Sequence, residues 1–274
     1  MLTNRILVVI ILLPLGLWVI NQGGWVFAIT VAVLAGLAAW EVGNMFAKKG
    51  ANPFLWAMPF GASLLVITRY FGGVEAEAWG LSLIILVSMT YHLVDYERGR
   101  ALAASDFALS LMGMVYCGWM GGYLVALRQL PEGKWWLLLA LPIVWLADAG
   151  AFSVGRRFGK HALSPRLSPK KTWEGYWGGV LSGVLSGWAL AVLWMIGAGP
   201  TTLITPWKGA VLGFLLSVIT PLGDLGESMI KRQNGVKDSS NLLPGHGGIF
   251  DRIDSWLWAG VLSYYLIIWW LGRG

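Results

Sequence analysis

Long apolar runs separated by short polar segments make up most of this 274-residue chain. A helix that crosses a bilayer needs about 20 mostly apolar residues. Nine runs reach or nearly reach this length, and they cover residues 5–20, 25–46, 54–71, 79–96, 107–128, 135–155, 175–197, 207–230 and 255–271. The pattern therefore predicts an all-α integral membrane protein with about nine transmembrane helices.

The overall composition supports this interpretation and excludes several other classes of protein. Hydrophobic residues make up 57% of the chain and charged residues only 12%, whereas a soluble domain carries about 25% charged residues. A soluble cytosolic enzyme, a disordered chain and a nucleic-acid-binding module are therefore excluded. Because Cys117 is the single cysteine, the chain can form neither an internal disulfide nor a cysteine-based zinc site.

The basic residues predict the orientation, because cytoplasmic loops of membrane proteins carry an excess of Lys and Arg. With a cytoplasmic N-terminus, fifteen of the 20 Lys and Arg residues fall on the inner side. The long hydrophilic loops 156–174 and 231–254 are then cytoplasmic. We expect a polar active-site pocket that faces the cytoplasm, in a protein of the inner membrane. Residues 1–130 should form N-terminal transmembrane helices and residues 131–274 should carry the chemistry, within one membrane-embedded unit.

Glycines recur every four residues in the seventh run, at Gly175, Gly179, Gly183 and Gly187. On a helix this spacing places them along one face, where a second backbone can approach closely. We interpret the glycines as sites of tight helix packing.

Several ionisable residues lie within or beside the apolar runs, where each costs at least about 2.5–3.5 kcal/mol if it faces lipid. Arg69 and Asp106 lie close enough to helix ends to snorkel, and we assign them no role. Glu41 is either an ordinary interface residue or an ion-pair partner of Lys48. Asp148 lies deeper, and both a site role and a structural hydrogen bond stay open for it.

The densest polar constellation lies between residues 223 and 254. On a helix, Asp224, Ser228 and Lys231 share one face because they are spaced by four and three residues. A final helix that starts near Phe250 would likewise place Asp251 one turn from Asp254. We therefore expect two helices to bring carboxylates together at the cytoplasmic boundary of the membrane.

Clustered carboxylates repel one another, so a positive charge must hold Asp224, Asp251 and Asp254 together. A structural cluster of salt bridges with Lys231, Arg232 and Arg252 is one explanation. A hard divalent ion such as Mg²⁺, which takes carboxylates, waters and phosphates as ligands, is the other. Glycines in the intervening loop would let backbone N–H groups approach phosphate oxygens. Together these features favour phosphoryl or nucleotidyl transfer.

The segment 168–175 adds a second phosphate-binding element. Ser168 followed by Pro169 predicts an N-cap and a first helical position, where free N–H groups attract anions. Lys170 and Lys171 would then lie in the first turn, which is unfavourable unless an anion binds there. A basic loop that contacts anionic lipid headgroups is the alternative.

Residues 228–254 resemble the signature of the phosphatidate cytidylyltransferases, also called CDP-diacylglycerol synthases. The matching positions are Ser228-x-Ile230-Lys231-Arg232, Lys237-Asp238 and Leu243-Pro244-x-His246-Gly247-Gly248-Ile249-x-Asp251-Arg252-Ile253-Asp254. The resemblance extends to Asp148, to the block Ser168-Pro169-x-Lys171-Thr172-Trp173-Glu174-Gly175, and to Gly223-Asp224-Leu225-x-Glu227-Ser228.

This resemblance implies the reaction of CTP with phosphatidic acid to give CDP-diacylglycerol and pyrophosphate. It also implies an all-helical membrane fold, a cytoplasmic active site and a requirement for Mg²⁺, with a second cation such as K⁺ in some members. The expected partners are CTP, phosphatidic acid and membrane lipids, with no nucleic acid; a homodimer stays open.

The resemblance further assigns roles to individual residues. Asp224 and Asp251 would be the main metal ligands, supported by Asp254. The residues that would contact or neutralise the phosphates are Lys231, Arg232, Lys237, His246, Gly247, Gly248 and Arg252. The catalytic candidates are Asp224, Asp251, Lys231, Arg232 and His246. Ser168, Lys171, Thr172 and Ser228 would complete the substrate-binding wall. Further candidates for the site are Asp148, Glu227 and Asp238.

Three other functions remain as alternatives. A structural or partner-binding membrane protein is one, but it leaves the metal-and-phosphate pattern unexplained. A CTP-dependent lipid-alcohol kinase would transfer the γ-phosphate and release CDP. An ion-coupled transporter would use intramembrane carboxylates as ion sites, and it predicts charges near the bilayer midplane and an internal repeat. Here the charges gather at one boundary instead.

Overall fold

A computed structural model of the chain describes residues 2–199, 203–243, 245 and 247–272, and it describes side chains from residue 10 onward. The helices in the described part are α1 (Leu2–Gln22), α2 (Gly24–Ala47), α3 (Met58–Glu97), α4 (Ala103–Met114), a π-helical turn (Val115–Trp119), α5 (Met120–Gln129), α6 (Gly133–Phe158), α7 (Trp173–Ala198), α8 (Pro206–Ile219), α9 (Pro221–Gln233) and α10 (Phe250–Trp270). The two strands are β1 (Ala162–Ser164) and β2 (Ser168–Thr172).

Six helical segments among the described residues are long and apolar enough to cross a membrane: Gly24–Ala47, Met58–Glu97, Ala103–Gln129, Gly133–Phe158, Trp173–Ala198 and Pro206–Gln233. The chain is therefore an all-α membrane protein apart from one small hairpin. The predicted count of nine is not confirmed. The runs 54–71 and 79–96 lie in α3, whose backbone leaves the helical region at Gly72 and Gly73.

Packing divides the chain into two units, and we describe each by itself. Unit 1 comprises the described residues of Met1–Ala126 and Ile230–Ile253. Unit 2 comprises those of Leu127–Met229 and Asp254–Gly274.

In unit 1, helices α2, α3 and α4 and the π-helical turn pack against one another. Small residues allow close contact between their backbones. A Cβ atom on Gly118 would lie 2.6 Å from the Cα atom of Ala62, and one on Gly36 would lie 2.8 Å from the Pro59 carbonyl oxygen. Because real Cβ atoms do not approach other atoms this closely, glycine is required at both positions.

Two charged residues of unit 1 that we expected to snorkel are buried instead. Arg69 is 2% exposed; it forms an ion pair with Glu77 and lies over the Tyr123 ring, 4.4 Å from its centroid. Asp106 is also buried and accepts a 2.7 Å hydrogen bond from Arg100 Nε. The snorkelling interpretation was wrong because packing supplies each charge with a partner inside the protein, which proximity to a helix end did not reveal.

In unit 2, helices α6, α7 and α8 pack together along the glycine face of α7. Gly183 and Gly187 contact the backbone of α8 at Gly213 and Gly209, respectively. On the same face, a Cβ atom on Gly175 would lie 2.8 Å from the carbonyl oxygen of Ala151 in α6. The prediction of tight helix packing from the glycine spacing is confirmed.

The loop between α6 and α7 contains an antiparallel hairpin that the sequence analysis did not predict. Ser168 was expected to be the N-cap of a helix, but it begins strand β2. Lys170 and Lys171 therefore lie in a strand and not in a first helical turn. Successive side chains of a strand point to opposite faces, so the two lysines have different surroundings.

Thr172 is the actual N-cap of α7, which begins at Trp173. Its backbone is extended, with φ −123° and ψ 154°, and its side-chain oxygen accepts a 3.1 Å hydrogen bond from the Gly175 N–H. A β-branched residue suits both the end of a strand and this cap, because its hydroxyl satisfies an N–H that lacks an intrahelical partner. This explains why the helix starts after the lysines.

Candidate active site

Three carboxylates of unit 2 lie close together. Asp224 and Glu227 are three residues apart on α9 and so share a face of that helix, while Asp254 lies in the first turns of α10. One oxygen from each carboxylate lies within 4.8 Å of the others. Glu227 and Asp254 are buried, with 2% and 8% of their surface exposed, and Asp224 is half-buried. We call this group the carboxylate cluster.

Strand β2 and helix α6 add charges to the same region of unit 2. Lys171 forms an ion pair with Asp224 Oδ2, whereas its neighbour Lys170 is exposed. Ser228 Oγ lies 3.5 Å from the other oxygen of Asp224, consistent with the predicted helix face. Asp148 of α6 lies within range of electrostatic interaction with both Lys171 and Asp224. The hairpin therefore places Lys171 beside the carboxylate cluster, in contact with Asp224.

The carboxylate cluster fits a hard divalent cation. Mg²⁺ prefers oxygen ligands, and it binds through one or more carboxylates together with water and substrate phosphates. Like charges at this separation repel, and a cation between them removes that repulsion. Asp224 and Asp254 were predicted as metal ligands. Glu227, which was predicted as a further candidate for the site, lies in the same cluster.

Asp251, the other predicted metal ligand, lies in unit 1 and contacts hydrogen-bond donors. Its Oδ2 atom accepts hydrogen bonds from the Ser239 N–H at 2.9 Å and the Gly248 N–H at 2.7 Å. It also lies 2.9 Å from the Ser239 hydroxyl oxygen, whose single proton it shares with Glu41. Its Oδ1 atom lies 2.7 Å from Lys231 Nζ, and both side chains are mostly buried. These contacts connect Lys231 near the end of α9 and Asp251 in the first turn of α10 with Ser239 and Gly248 in the loop between the two helices. A role of Asp251 in metal binding stays a prediction.

Glu41 belongs to the same region of unit 1, and the sequence analysis left its role open. Its side chain accepts hydrogen bonds from the hydroxyls of Ser239 and Ser240 and from the N–H groups of Ile249 and Phe250. The described contacts thus differ from the proposed ion pair with Lys48. The only signal in the sequence was an acidic residue within an apolar run, because its partners lie about 200 positions further along the chain.

Gly247 and Gly248 lie directly against these carboxylates. A Cβ atom on Gly248 would contact the Ser239 hydroxyl and the carboxylate of Glu41. Gly247 has φ +80°, and a Cβ atom there would lie 2.6 Å from Asp251 Oδ2. Both glycines therefore permit close approach to acidic side chains. Their predicted approach to substrate phosphates stays a prediction.

The other predicted residues are distributed around these two regions. Arg232, Lys237, Asp238 and Arg252 are exposed residues of unit 1, and Arg232 donates a 3.3 Å hydrogen bond to the carbonyl oxygen of Val236. Ser168 is partly exposed at the start of β2. The hydroxyl of Thr172 accepts the hydrogen bond that caps α7. His246 lies outside the described residues.

Comparisons with known proteins cover nearly the whole chain. A protein-family model described as "Cytidylyltransferase family" matches residues 3–270. The phosphatidate cytidylyltransferase of Pseudomonas aeruginosa is 34% identical over 281 residues, which cover 100% of this chain and 99% of the relative. The protein of the same name from Synechocystis is 32% identical over 310 residues, covering 97% and 96%. That from Staphylococcus saprophyticus is 35% identical over 268 residues, covering 96% and 98%.

Proposed function

The chain belongs to the cytidylyltransferase family, and from that membership we propose that it transfers the cytidylyl group of CTP to phosphatidic acid. The products are CDP-diacylglycerol, a phospholipid precursor, and pyrophosphate. The observation that carries the proposal is the similarity, over nearly the full length of both chains, to curated phosphatidate cytidylyltransferases. The protein is thus a membrane-embedded nucleotidyltransferase.

In this reaction a phosphate oxygen of the lipid attacks the α-phosphorus of CTP, and the bond to the bridging oxygen of pyrophosphate breaks. The lipid phosphate is already an anionic nucleophile, so no strong general base is needed. The main obstacle is the approach of two highly charged anions. We propose that Lys171, beside the carboxylate cluster, lowers it by neutralising phosphate charge and orienting the reacting groups. The same role for Lys231 and Arg232 stays a prediction from the family resemblance.

We also propose that the carboxylate cluster holds Mg²⁺ through Asp224, Glu227 and Asp254. The support is the spacing of their oxygens and the burial of two of the three side chains. When bound, the ion would offset the negative charge of the triphosphate and of the departing pyrophosphate. Lys171 would keep Asp224 oriented toward the cluster. Ligation by Asp251, and binding of a second cation such as K⁺, are further predictions from the family resemblance.

The proposed topology has the N-terminus and the segments 156–174 and 231–254 on the cytoplasmic side of the inner membrane, with α3 crossing twice by turning at Gly72 and Gly73. The excess of basic residues on that side supports it. Acyl chains could then stay in the bilayer while CTP arrives from water. Labelling of single cysteines introduced into these segments, in a Cys117→Ser background, tests the topology. Light scattering in detergent tests homodimer formation.

The reaction is tested with two forms of CTP, one labelled on the α-phosphate and one on the γ-phosphate. Purified protein, Mg²⁺ and phosphatidic acid should convert only the α-label into an organic-extractable product, with release of pyrophosphate. Diacylglycerol in place of phosphatidic acid should give no extractable label. Transfer of the γ-label to a lipid alcohol, with CDP as the second product, would instead identify a kinase.

A further inference from the structure

Glu41 has a surrounding that its position in the chain does not suggest. It lies in the apolar helix α2 and is fully buried, with 0% of its surface exposed. Burying a carboxylate is costly unless hydrogen-bond donors compensate it. Here four donors from the segment 239–250 do so, and all of these residues belong to unit 1. The carboxylate therefore has a specific task in holding that segment.

The four hydrogen bonds fix both ends of the segment. Ser240 and Ser239 at its start donate from their hydroxyls at 2.6 Å and 2.8 Å. Ile249 and Phe250 at its end donate from their backbone N–H groups at 3.0 Å and 2.8 Å. The Phe250 N–H belongs to the first turn of α10 and lacks an intrahelical partner, and a negative charge at this end of a helix is favourable.

Ser239 links Glu41 to the signature residues. Its hydroxyl oxygen lies 2.8 Å from Glu41 Oε2 and 2.9 Å from Asp251 Oδ2. Asp251 in turn pairs with Lys231. A shift of the Glu41 carboxylate would therefore move Ser239 and, through it, the Asp251–Lys231 pair.

Gly248 shows that the fit is tight. A Cβ atom added to Gly248 would lie within 2.6 Å of the Ser239 hydroxyl oxygen and of both carboxylate oxygens of Glu41. This close packing is possible because residue 248 is glycine and because both oxygens of the adjacent Glu41 carboxylate accept hydrogen bonds.

We propose that Glu41 is a positioning residue for cytidylyl transfer: it fixes Ser239, Ser240, Ile249 and Phe250, at the two ends of segment 239–250, and, through Ser239, the orientation of Asp251 and Lys231. This proposal rests on the proposed function. It gives a residue of the second apolar run, far from the signature at 228–254, a defined part in turnover.

The chemistry of the side chain makes the proposal testable by a nearly isosteric change. A carboxylate accepts hydrogen bonds at both oxygens, whereas a carboxamide has one acceptor oxygen and an NH₂ group that only donates. Each carboxylate oxygen of Glu41 faces one serine hydroxyl and one backbone N–H. Glu41→Gln would therefore turn an NH₂ group toward a backbone N–H, which cannot accept a hydrogen bond from it. Glu41→Asp keeps both acceptors but is one methylene shorter, so we expect a smaller defect from it.

The experiment measures kcat and KM for CTP and phosphatidic acid in the full-length protein, well below its unfolding temperature. We expect Glu41→Gln to lower kcat by about 10- to 100-fold, as misplaced reacting groups do, with KM values within about threefold of the wild type. Glu41→Asp should recover part of the loss. Hydrogen exchange should also show faster exchange at the Ile249 and Phe250 amides in Glu41→Gln.

Glu77→Gln is the matched control, because Glu77 is another buried glutamate of unit 1 and pairs with Arg69. We expect it to lower the unfolding temperature but to leave kcat of the folded protein within about twofold of the wild type. Equal losses of kcat in the two variants, or a Glu41→Gln variant with normal kcat and normal exchange, would overturn the proposal. A wild-type protein that transfers no α-label would instead refute the proposed function, and the exchange measurement would still test the positioning of the segment.

Discussion

In unit 1, the carboxylates of Glu41 and Asp251 contact hydroxyls, backbone N–H groups and, for Asp251, a lysine. In unit 2, oxygens from three carboxylates lie within 4.8 Å of one another. The first arrangement compensates negative charge with fixed donors and so holds a loop in one conformation. The second concentrates negative charge, which the proposed Mg²⁺ would offset. Acidic side chains of one chain therefore have two different kinds of surroundings.

Helix α10 contains one carboxylate of each arrangement, and the two are close in the sequence. Asp251 and Asp254 are one helical turn apart, and the sequence analysis gave both the same role as metal ligands. The described contacts place Asp251 among donors and Asp254 in the carboxylate cluster. The residues that surround each carboxylate, and not their spacing along the helix, distinguish them.

The largest effect is expected from Asp254→Asn. Loss of this carboxylate should lower activity by at least about 100-fold, because the charge that orients a metal and its phosphates is removed. The metal-free protein should stay folded, since one source of repulsion in the cluster is gone. Initial rates, and thermal unfolding with and without Mg²⁺, measure both effects. Glu97→Gln, at an exposed position, is the control; near-normal Mg²⁺-dependent activity of Asp254→Asn would contradict the metal site.

Asp251→Asn tests the difference between the two groups of carboxylates, because we expect it to lower stability without removing Mg²⁺ binding. Breaking the mostly buried pair with Lys231 should destabilise the fold by about 3 kcal/mol, and activity should fall because the loop is displaced. Stabilisation of the folded protein by Mg²⁺ should persist. If Mg²⁺ no longer raises the unfolding temperature of this variant, Asp251 is a metal ligand and the division between the two groups fails.

Gly248→Ala tests how closely the donors surround the carboxylates of unit 1. A methyl group there would overlap Ser239 and Glu41, and such overpacking costs about 1–3 kcal/mol. Unfolding measurements and activity assays should both show a loss. In Gly16→Ala, where no atom lies within 4 Å of the added carbon, the same substitution should be neutral or stabilising. Equal stability of the two variants would show that the loop is less constrained than we infer.

The smallest effect is expected from Thr172→Val, which removes the hydroxyl that caps α7. It should cost about 1 kcal/mol of stability and leave KM for both substrates unchanged. Thr172→Ser retains the hydroxyl and should restore most of the stability. An increase in KM without loss of stability would instead support the predicted contact between Thr172 and substrate.

Much of the architecture followed from local properties of the sequence. Apolar runs as long as those at 25–46 and 135–155 can form few structures other than helices in a bilayer, because every backbone polar group must be satisfied within the segment. The glycine spacing in α7 likewise predicted a close helix contact that the structure contains. The match at 228–254 identified the family before any fold was known.

The tertiary structure decided which polar groups meet. Ser168 and Thr172 are both good N-caps, and the pairing of β2 with β1 selected Thr172. Arg69 and Glu41 looked like residues near a helix end or an interface, yet packing buries each against partners that no local pattern reveals. A helix depends on neighbouring residues, whereas the surroundings of a buried charge depend on segments brought together only by folding. For that reason the sequence by itself determined the helical membrane character and the family, and only the fold decided which groups surround each carboxylate.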